Sequence, residues 1–178
     1  KFNKSTNPSK FQTVKENFIS IIMFTSGTTG EPKGIQISLE SYLGMARSFS
    51  KLCGYEENTK IYNCLPLHYN AGLLNTCFAG LINGSKVIIG PKVNSLNILS
   101  LTNNLKNLGV NSIHLTPEIA DAITKIKHNN EEKDTIFKIE KIISTGGYLH
   151  ESTKNKFEKV FKKRLLNCYG VTELGGPI

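Results

Sequence analysis

The sequence predicts an α/β fold, a three-layer α/β/α unit around a mostly parallel sheet of about six strands, on three observations. Short apolar runs alternate with longer helical patterns about five times. Most of these runs are continuously apolar, which is how strands covered on both faces read. The stretches between them carry helix caps and stops where a strand–helix alternation needs them. Together these features argue for parallel strands linked by crossover helices.

In chain order, the candidate strands are Phe18–Phe24, Lys60–Leu65, Lys86–Ile89, Ser112–Leu115, Lys141–Ser144 and Arg164–Asn167. Ser38 caps a first helix with Leu39, Tyr42, Leu43 and Ala46 on one face, Glu40 in its first turn and Gly54 past its end. Ala71 to Leu81 is apolar nearly all round and predicts a buried helix. Leu96, Leu99, Leu105 and Leu108 give a third, stopped at Gly109. Thr116 with Pro117 in the first helical position opens a fourth, running to about Lys127. Asn129 to Asp134 reads as a charged loop, and Phe157, Val160 and Phe161 as the inner stripe of a fifth helix. The basic run Lys154 to Arg164 reads as that helix's solvated face, with Lys162, Lys163 and Arg164 at its negative end.

Composition narrows the function classes. The 178 residues fit one domain, read as a polar lead-in over 1–16 and a core over 17–178. The net charge of +8 is spread along the chain, Trp is absent, and the six Tyr and nine Phe do not interleave with basic residues. That pattern argues against a nucleic-acid platform. Phe18 to Phe24, the longest strongly apolar window, is far short of the roughly 20 residues that span a bilayer. No secretory leader is visible, and Lys1 rather than Met at the start suggests a piece of something longer. Four cysteines at 53, 64, 77 and 168 lack metal-knuckle spacing; they read as buried free thiols in a reducing cytoplasm.

In open parallel sheets, ligands sit beyond the carboxyl ends of strands, so the loops just after strands are the functional candidates. The first strand runs into Thr25-Ser26-Gly27-Thr28-Thr29-Gly30-Glu31-Pro32-Lys33-Gly34, with four hydroxyls, three glycines and a lysine in ten residues. Glycines bring backbone N–H groups close to an anion, hydroxyls donate to phosphate oxygens, and Lys33 supplies a point charge. A Walker-type loop needs Gly-Lys-Ser/Thr opening a helix; here Lys33 lies between Pro32 and Gly34, and Ile35-Gln36-Ile37 alternates like a strand. After the next candidate loop, Ser144-Thr145-Gly146-Gly147-Tyr148, comes Asn167-Cys168-Tyr169-Gly170-Val171-Thr172-Glu173. Paired glycines allow close approach of a flat ligand. The second of these loops offers an amide and an aromatic face to a nucleobase, and a hydroxyl and a carboxylate to a metal-bound phosphate.

Taken together, these loops resemble the signatures of the adenylate-forming superfamily of acyl-CoA synthetases, luciferases and peptide-synthetase adenylation domains. The first matches its phosphate loop at every position but the variable Glu31, and the third its Tyr-Gly-x-Thr-Glu motif. The resemblance implies that Thr25, Ser26, Gly27, Thr28, Thr29, Gly30 and Lys33 hold the β- and γ-phosphates of ATP. It implies that Gly146, Gly147 and Tyr148 line the adenine, with Asn167 at its amino edge and Tyr169, followed by Gly170, on the ring. Thr172 would contact the α-phosphate and Glu173 would hold Mg2+, these two being the catalytic pair.

Leu65-Pro66-Leu67-His68-Tyr69-Asn70-Ala71-Gly72 resembles the family's acyl-pocket motif, which makes His68, Tyr69, Asn70 and Gly72 candidate substrate residues. Many acyl-CoA synthetases carry His where this chain has Tyr69. No acidic residue occurs between Lys60 and Gly90 to pair with a substrate ammonium, which disfavours an α-amino acid. The implied reaction joins a carboxylic acid to the α-phosphorus of ATP, releases pyrophosphate, and then passes the acyl group to a thiol of coenzyme A or a carrier protein. The family's ribose-binding Asp and its mobile C-terminal domain with the catalytic lysine lie outside these 178 residues, so the chain is expected to bind MgATP and to be nearly inactive alone. A degenerate, non-catalytic nucleotide-binding or scaffold module is the alternative reading.

Overall fold

The computed structural model describes residues 15, 17–25, 31–94, 97–172 and 176–177. The lead-in, apart from Lys15, and Leu96 of the expected third helix lie outside these residues.

Two antiparallel strands open the described chain, β1 (Ile19–Thr25) and β2 (Lys33–Ser38), with Thr25 opposite Lys33 at one end of the hairpin. Helix α1 (Leu39–Cys53) follows at once. Ser38 Oγ accepts the Ser41 N–H at its start, and Gly54 ends it in the left-handed conformation. A five-stranded, wholly parallel sheet comes next, in the order β4 (Lys86–Ile89), β3 (Lys60–Asn63), β5 (Ser112–Leu115), β6 (Lys141–Ser144), β7 (Leu166–Asn167). Between β3 and β4 runs a π-helix, Ala71–Phe78, continued by the short α2 (Ala79–Leu81). Within it the Gly72 carbonyl accepts both the Asn63 Nδ2 amino group (3.0 Å) and the Thr76 hydroxyl.

The remaining helices are α3 (Leu101–Leu108), led in by the 3-10 turn Ile98–Ser100, then α4 (Pro117–Lys125), α5 (Asn130–Lys138) and α6 (Glu151–Phe161). The main core lies between these and one sheet face, with Tyr62, Ile113, Leu115 and Ile142 packed against Leu105, Ile123, Phe157 and Phe161. On the other face Ile61 packs with Phe49, Tyr55 and Ala79, from α1, the turn after it and α2. The hairpin lies on α1 and the π-helix through Met23, Ile37, Tyr42, Ala46 and Leu74. Three layers are thus present, as expected from the sequence.

Several expectations need correction. The run Phe18–Phe24 does not join the parallel sheet, which has five strands rather than about six; it pairs with β2 instead. Asn129–Asp134 is not a loop but the start of α5, held by a capping box in which Asn129 and Glu132 bond each other's backbone. Helix α6 stops at Phe161, and Lys162 leaves it in the left-handed conformation (φ 52°), so Lys163 and Arg164 lie beyond the helix. All four cysteines are free, but only Cys64 and Cys77 are buried; Cys53 and Cys168 are half-buried.

Candidate functional site

The carboxyl ends of β3, β6 and β7 converge on one edge of the sheet, and the three loops leaving them carry most of the residues singled out above. The loop after β6 is pinned to β5 by Thr145 N–H on Leu115 O (2.9 Å), and the one after β7 to β6 by Cys168 N–H on Ser144 O (2.8 Å). The two loops therefore start in a fixed relation to each other.

Two cavities lie there. One of about 300 Å³ is bounded by Gly146, Gly147, Tyr148 and Leu149 on one side and Asn167, Cys168, Tyr169 and Gly170 on the other. Two segments some twenty residues apart in sequence thus share a concave surface (147 to 167). The rings at its mouth are open to solvent, Tyr148 at 79 % and Tyr169 at 66 % exposure, as a stacking face for a flat ligand must be. Tyr148 is steadied by an edge contact with His150, ring centroids 4.7 Å apart.

The second cavity, about 60 Å³, is smaller and is lined by Asn70, Ala71 and Asn75 from the π-helix and its approach, by Thr145, and by Val171 and Thr172. Tyr69, Gly146, Cys168 and Gly170 border both cavities. A Cβ on Gly146 would lie 2.3 Å from the Tyr69 Oη, and Gly146 has φ +88°, so glycine is required there twice over. Burial first, then the neighbouring Glu118 and Cys168, push the Tyr69 phenol up, so it remains an O–H donor at neutral pH. Burial likewise pushes the Cys168 thiol up, partly offset by a hydrogen bond from Thr145.

Of the residues named from sequence, Gly146, Gly147, Tyr148, Asn167, Tyr169 and Gly170 come together round the larger cavity, and Asn70 and Thr172 line the smaller. His68 is exposed and borders neither cavity, whereas Tyr69, in the family's usual histidine position, borders both. Gly72 also stands outside both linings and lets the π-helix approach the backbone of Leu65 and Pro66. Thr25 and Lys33 close the described part of the hairpin. Ser26, Gly27, Thr28, Thr29 and Gly30 lie outside the described residues, as does Glu173. Sequence reading missed Asn75, whose signal was an amide in an otherwise apolar helix, and gave no role to Thr145 and Cys168, which lie inside the two quoted loops.

A two-cavity cleft at the carboxyl edge of a parallel α/β sheet is a ligand-binding architecture, with room for a flat group beside a small one. The chain belongs to the family of AMP-binding enzymes, whose sequence profile matches residues 1–178. It is 28 % identical over 169 residues to the malonate–CoA ligase of Arabidopsis thaliana, covering 86 % of this chain and 28 % of that protein. It is 27 % identical over 161 residues to the PF 1022-synthetase of Rosellinia sp., covering 90 % of this chain and 5 % of that protein. In fold it is similar to ATP-bound MatB from Rhodopseudomonas palustris, with a TM-score of 0.78 at 21 % identity over 94 % of this chain and 32 % of that one. The chain therefore spans under a third of the length of each of these relatives. Among the described residues no helix is long and apolar enough to cross a membrane.

Proposed function

We propose that this chain is the nucleotide-binding core of an enzyme that activates a carboxylic acid with ATP and passes the acyl group to a thiol of coenzyme A or of a carrier protein. The supporting observation is the meeting of Gly146, Gly147 and Tyr148 with Asn167 and Tyr169 around one cavity, with the Thr172 cavity next to it. Adenine fits the larger space, held by glycine backbone and the Tyr169 face, with Asn167 at its amino edge. The acyl group then enters the smaller one, which shares Tyr69 with the first.

Two anions must meet in line when the carboxylate attacks the α-phosphorus, so the protein's work is orientation and offset of charge. Thr172 donates to the α-phosphate, while the Thr25–Lys33 loop, with Ser26, Thr28 and Thr29, takes the β- and γ-phosphates. Among the described residues no cluster of three or more His, Cys, Asp or Glu could hold a metal. Glu173 is the protein carboxylate that would hold a Mg2+ beside the phosphates. A Mg2+ held there would supply positive charge to offset that of the leaving pyrophosphate. Among the described residues no charged side chain lines the smaller cavity, which argues against an α-amino acid substrate. The four free thiols suit a reducing cytoplasm.

Alone, the chain is expected to bind MgATP and to exchange pyrophosphate at a small fraction of a full ligase's rate. Tyr69 in the place of the family's histidine favours a second reading, a nucleotide-binding module without catalysis. Binding and exchange separate the readings. Tyr169→Ala should weaken ATP about tenfold, the usual worth of one base–aromatic stack. Unchanged affinity overturns the adenine assignment; exchange at a full ligase's rate by these 178 residues overturns the expected inactivity.

A further inference from the structure

Helix α5 carries charge on two sides, and the two are treated differently. Toward α3, Glu131 pairs with Lys106. Toward α6, Lys133, Lys159 and Lys162 line one groove of about 660 Å³ and make no ion pair among the described residues. Asp134 is the one carboxylate in that lining. The floor is apolar, made by Phe137, Val160 and Phe161, with Phe137 54 % exposed. Lys163 adds a fourth cation, its Nζ 5.8 Å from the centre of the Phe137 ring. Three of these lysines belong to the run that reads from sequence as a solvated face, but solvation needs neither a groove nor an aromatic floor. Lys162 is also the one described non-glycine residue with a positive φ, 52°. Glycine is the usual residue at such a helix end, and a side chain there is strained. Strain of this kind clusters at binding and switch sites.

We infer that this groove docks an acidic segment of a partner protein, an apolar side chain seated on Phe137 and carboxylates on Lys133, Lys159 and Lys162. Charge complementarity selects the occupant. The chain cannot supply it: outside the described residues its acids are Glu16 and Glu173 alone. A single-stranded nucleic acid would need free rings to stack on, whereas Lys163 stands over the one ring present and Asp134 repels phosphate. A lipid surface is flat and would meet the lysines at the rim without filling the groove. Helix α6 runs from the loop after β6 back to the start of β7, so its last turn lies at the amino ends of the strands, away from the cleft. Its eleven residues make it about 16 Å long. A docked partner therefore leaves ATP binding untouched, and the inference stands apart from the acid-activating function.

The test is fluorescence anisotropy of a labelled synthetic peptide, one Leu-Phe pair flanked by glutamates, titrated with the full-length protein at low salt. Binding in the micromolar range that weakens with added salt is expected. Lys133→Gln, Lys159→Gln and Lys162→Gln together remove three exposed charge contacts and should weaken it about tenfold. Phe137→Ala should cost about tenfold as the apolar anchor. The same loss of charge at the exposed Lys51, Lys86 and Lys92 should leave affinity within about twofold, and ATP affinity should be equal in all these proteins. Equal effects of the two triple variants would reduce the binding to net charge and overturn the inference. So would equal binding of a peptide with two serines for Leu-Phe, or of one with glutamines for its glutamates. These peptide controls decide the matter on the parent protein if a variant does not fold. No binding at low salt overturns the inference too. Phosphatidylserine vesicles or a single-stranded oligonucleotide held more tightly than the peptide, and released by the groove variant, would overturn it in favour of that partner.

Discussion

Replacing Gly72 by alanine tests whether the π-helix is seated against the chain as described. A Cβ there would lie 2.3 Å from the Pro66 carbonyl oxygen and 3.0 Å from both the Leu65 oxygen and the Pro66 carbonyl carbon. All three are main-chain atoms, so no side chain can swing aside. Ordinary C···O contacts begin at about 3.3 Å, so the backbone must part by about 1 Å. Overpacking of this kind costs about 1–3 kcal/mol. The same shift stretches the 3.0 Å bond from Asn63 Nδ2 to the Gly72 carbonyl, worth about 1 kcal/mol. Alanine's better helix propensity returns up to about 1 kcal/mol. The net expectation is a loss of about 1–3 kcal/mol. Gly44, within α1, is the control: a Cβ there meets nothing within 4 Å, so Gly44→Ala should stabilise by about 0.5–1 kcal/mol. Urea unfolding followed by circular dichroism measures both. Equal or greater stability for Gly72→Ala would refute the close approach.

His114 is fully buried, its Nε2 2.7 Å from the Tyr55 hydroxyl, and burial pushes its pKa down to about 3. The unfolded chain takes up that proton near 6.5, so this contribution to stability is whole above pH 6.5 and is lost as pH falls toward 3. Between pH 6.5 and 5.0 the loss should be about 1.6 kcal/mol, read from denaturation midpoints, and His114→Gln should remove most of that slope. Asn129→Ala deletes the α5 cap and should cost about 1 kcal/mol in the same assay. A cost under a few tenths would mean that the capping box contributes little.

The parallel strands were legible because burial on both faces leaves continuous apolar runs. Lys86–Ile89, Ser112–Leu115 and Lys141–Ser144 start and stop where the sequence predicts. The same signal misassigned Phe18–Phe24. That run is apolar on both faces, but Ile22 and Phe24 stay exposed, and nothing local tells which strand it will pair with. Helix α5 was hidden by its charge: only Ile136 is buried, so the helical period is faint and the Asn129/Glu132 cap was its readable sign. At the site, loop chemistry pointed to the larger cavity because glycine, amide and aromatic types stand just after strands. Asn75 could not be found that way. An amide in an apolar helix gives no hint that its oxygen lacks a donor; only the packed neighbours show it.

The central claim is that the Thr25–Lys33 segment grips the outer phosphates of a nucleotide whose base lies between Gly147 and Tyr169. Calorimetric titration of the parent and Lys33→Ala with MgATP and with AMP tests it most directly. One charge-assisted phosphate contact is worth about 1.5–3 kcal/mol, so the substitution should weaken ATP by about tenfold to a hundredfold and leave AMP unchanged. Equal ATP affinity in both proteins, or equal losses for ATP and AMP, would contradict the account.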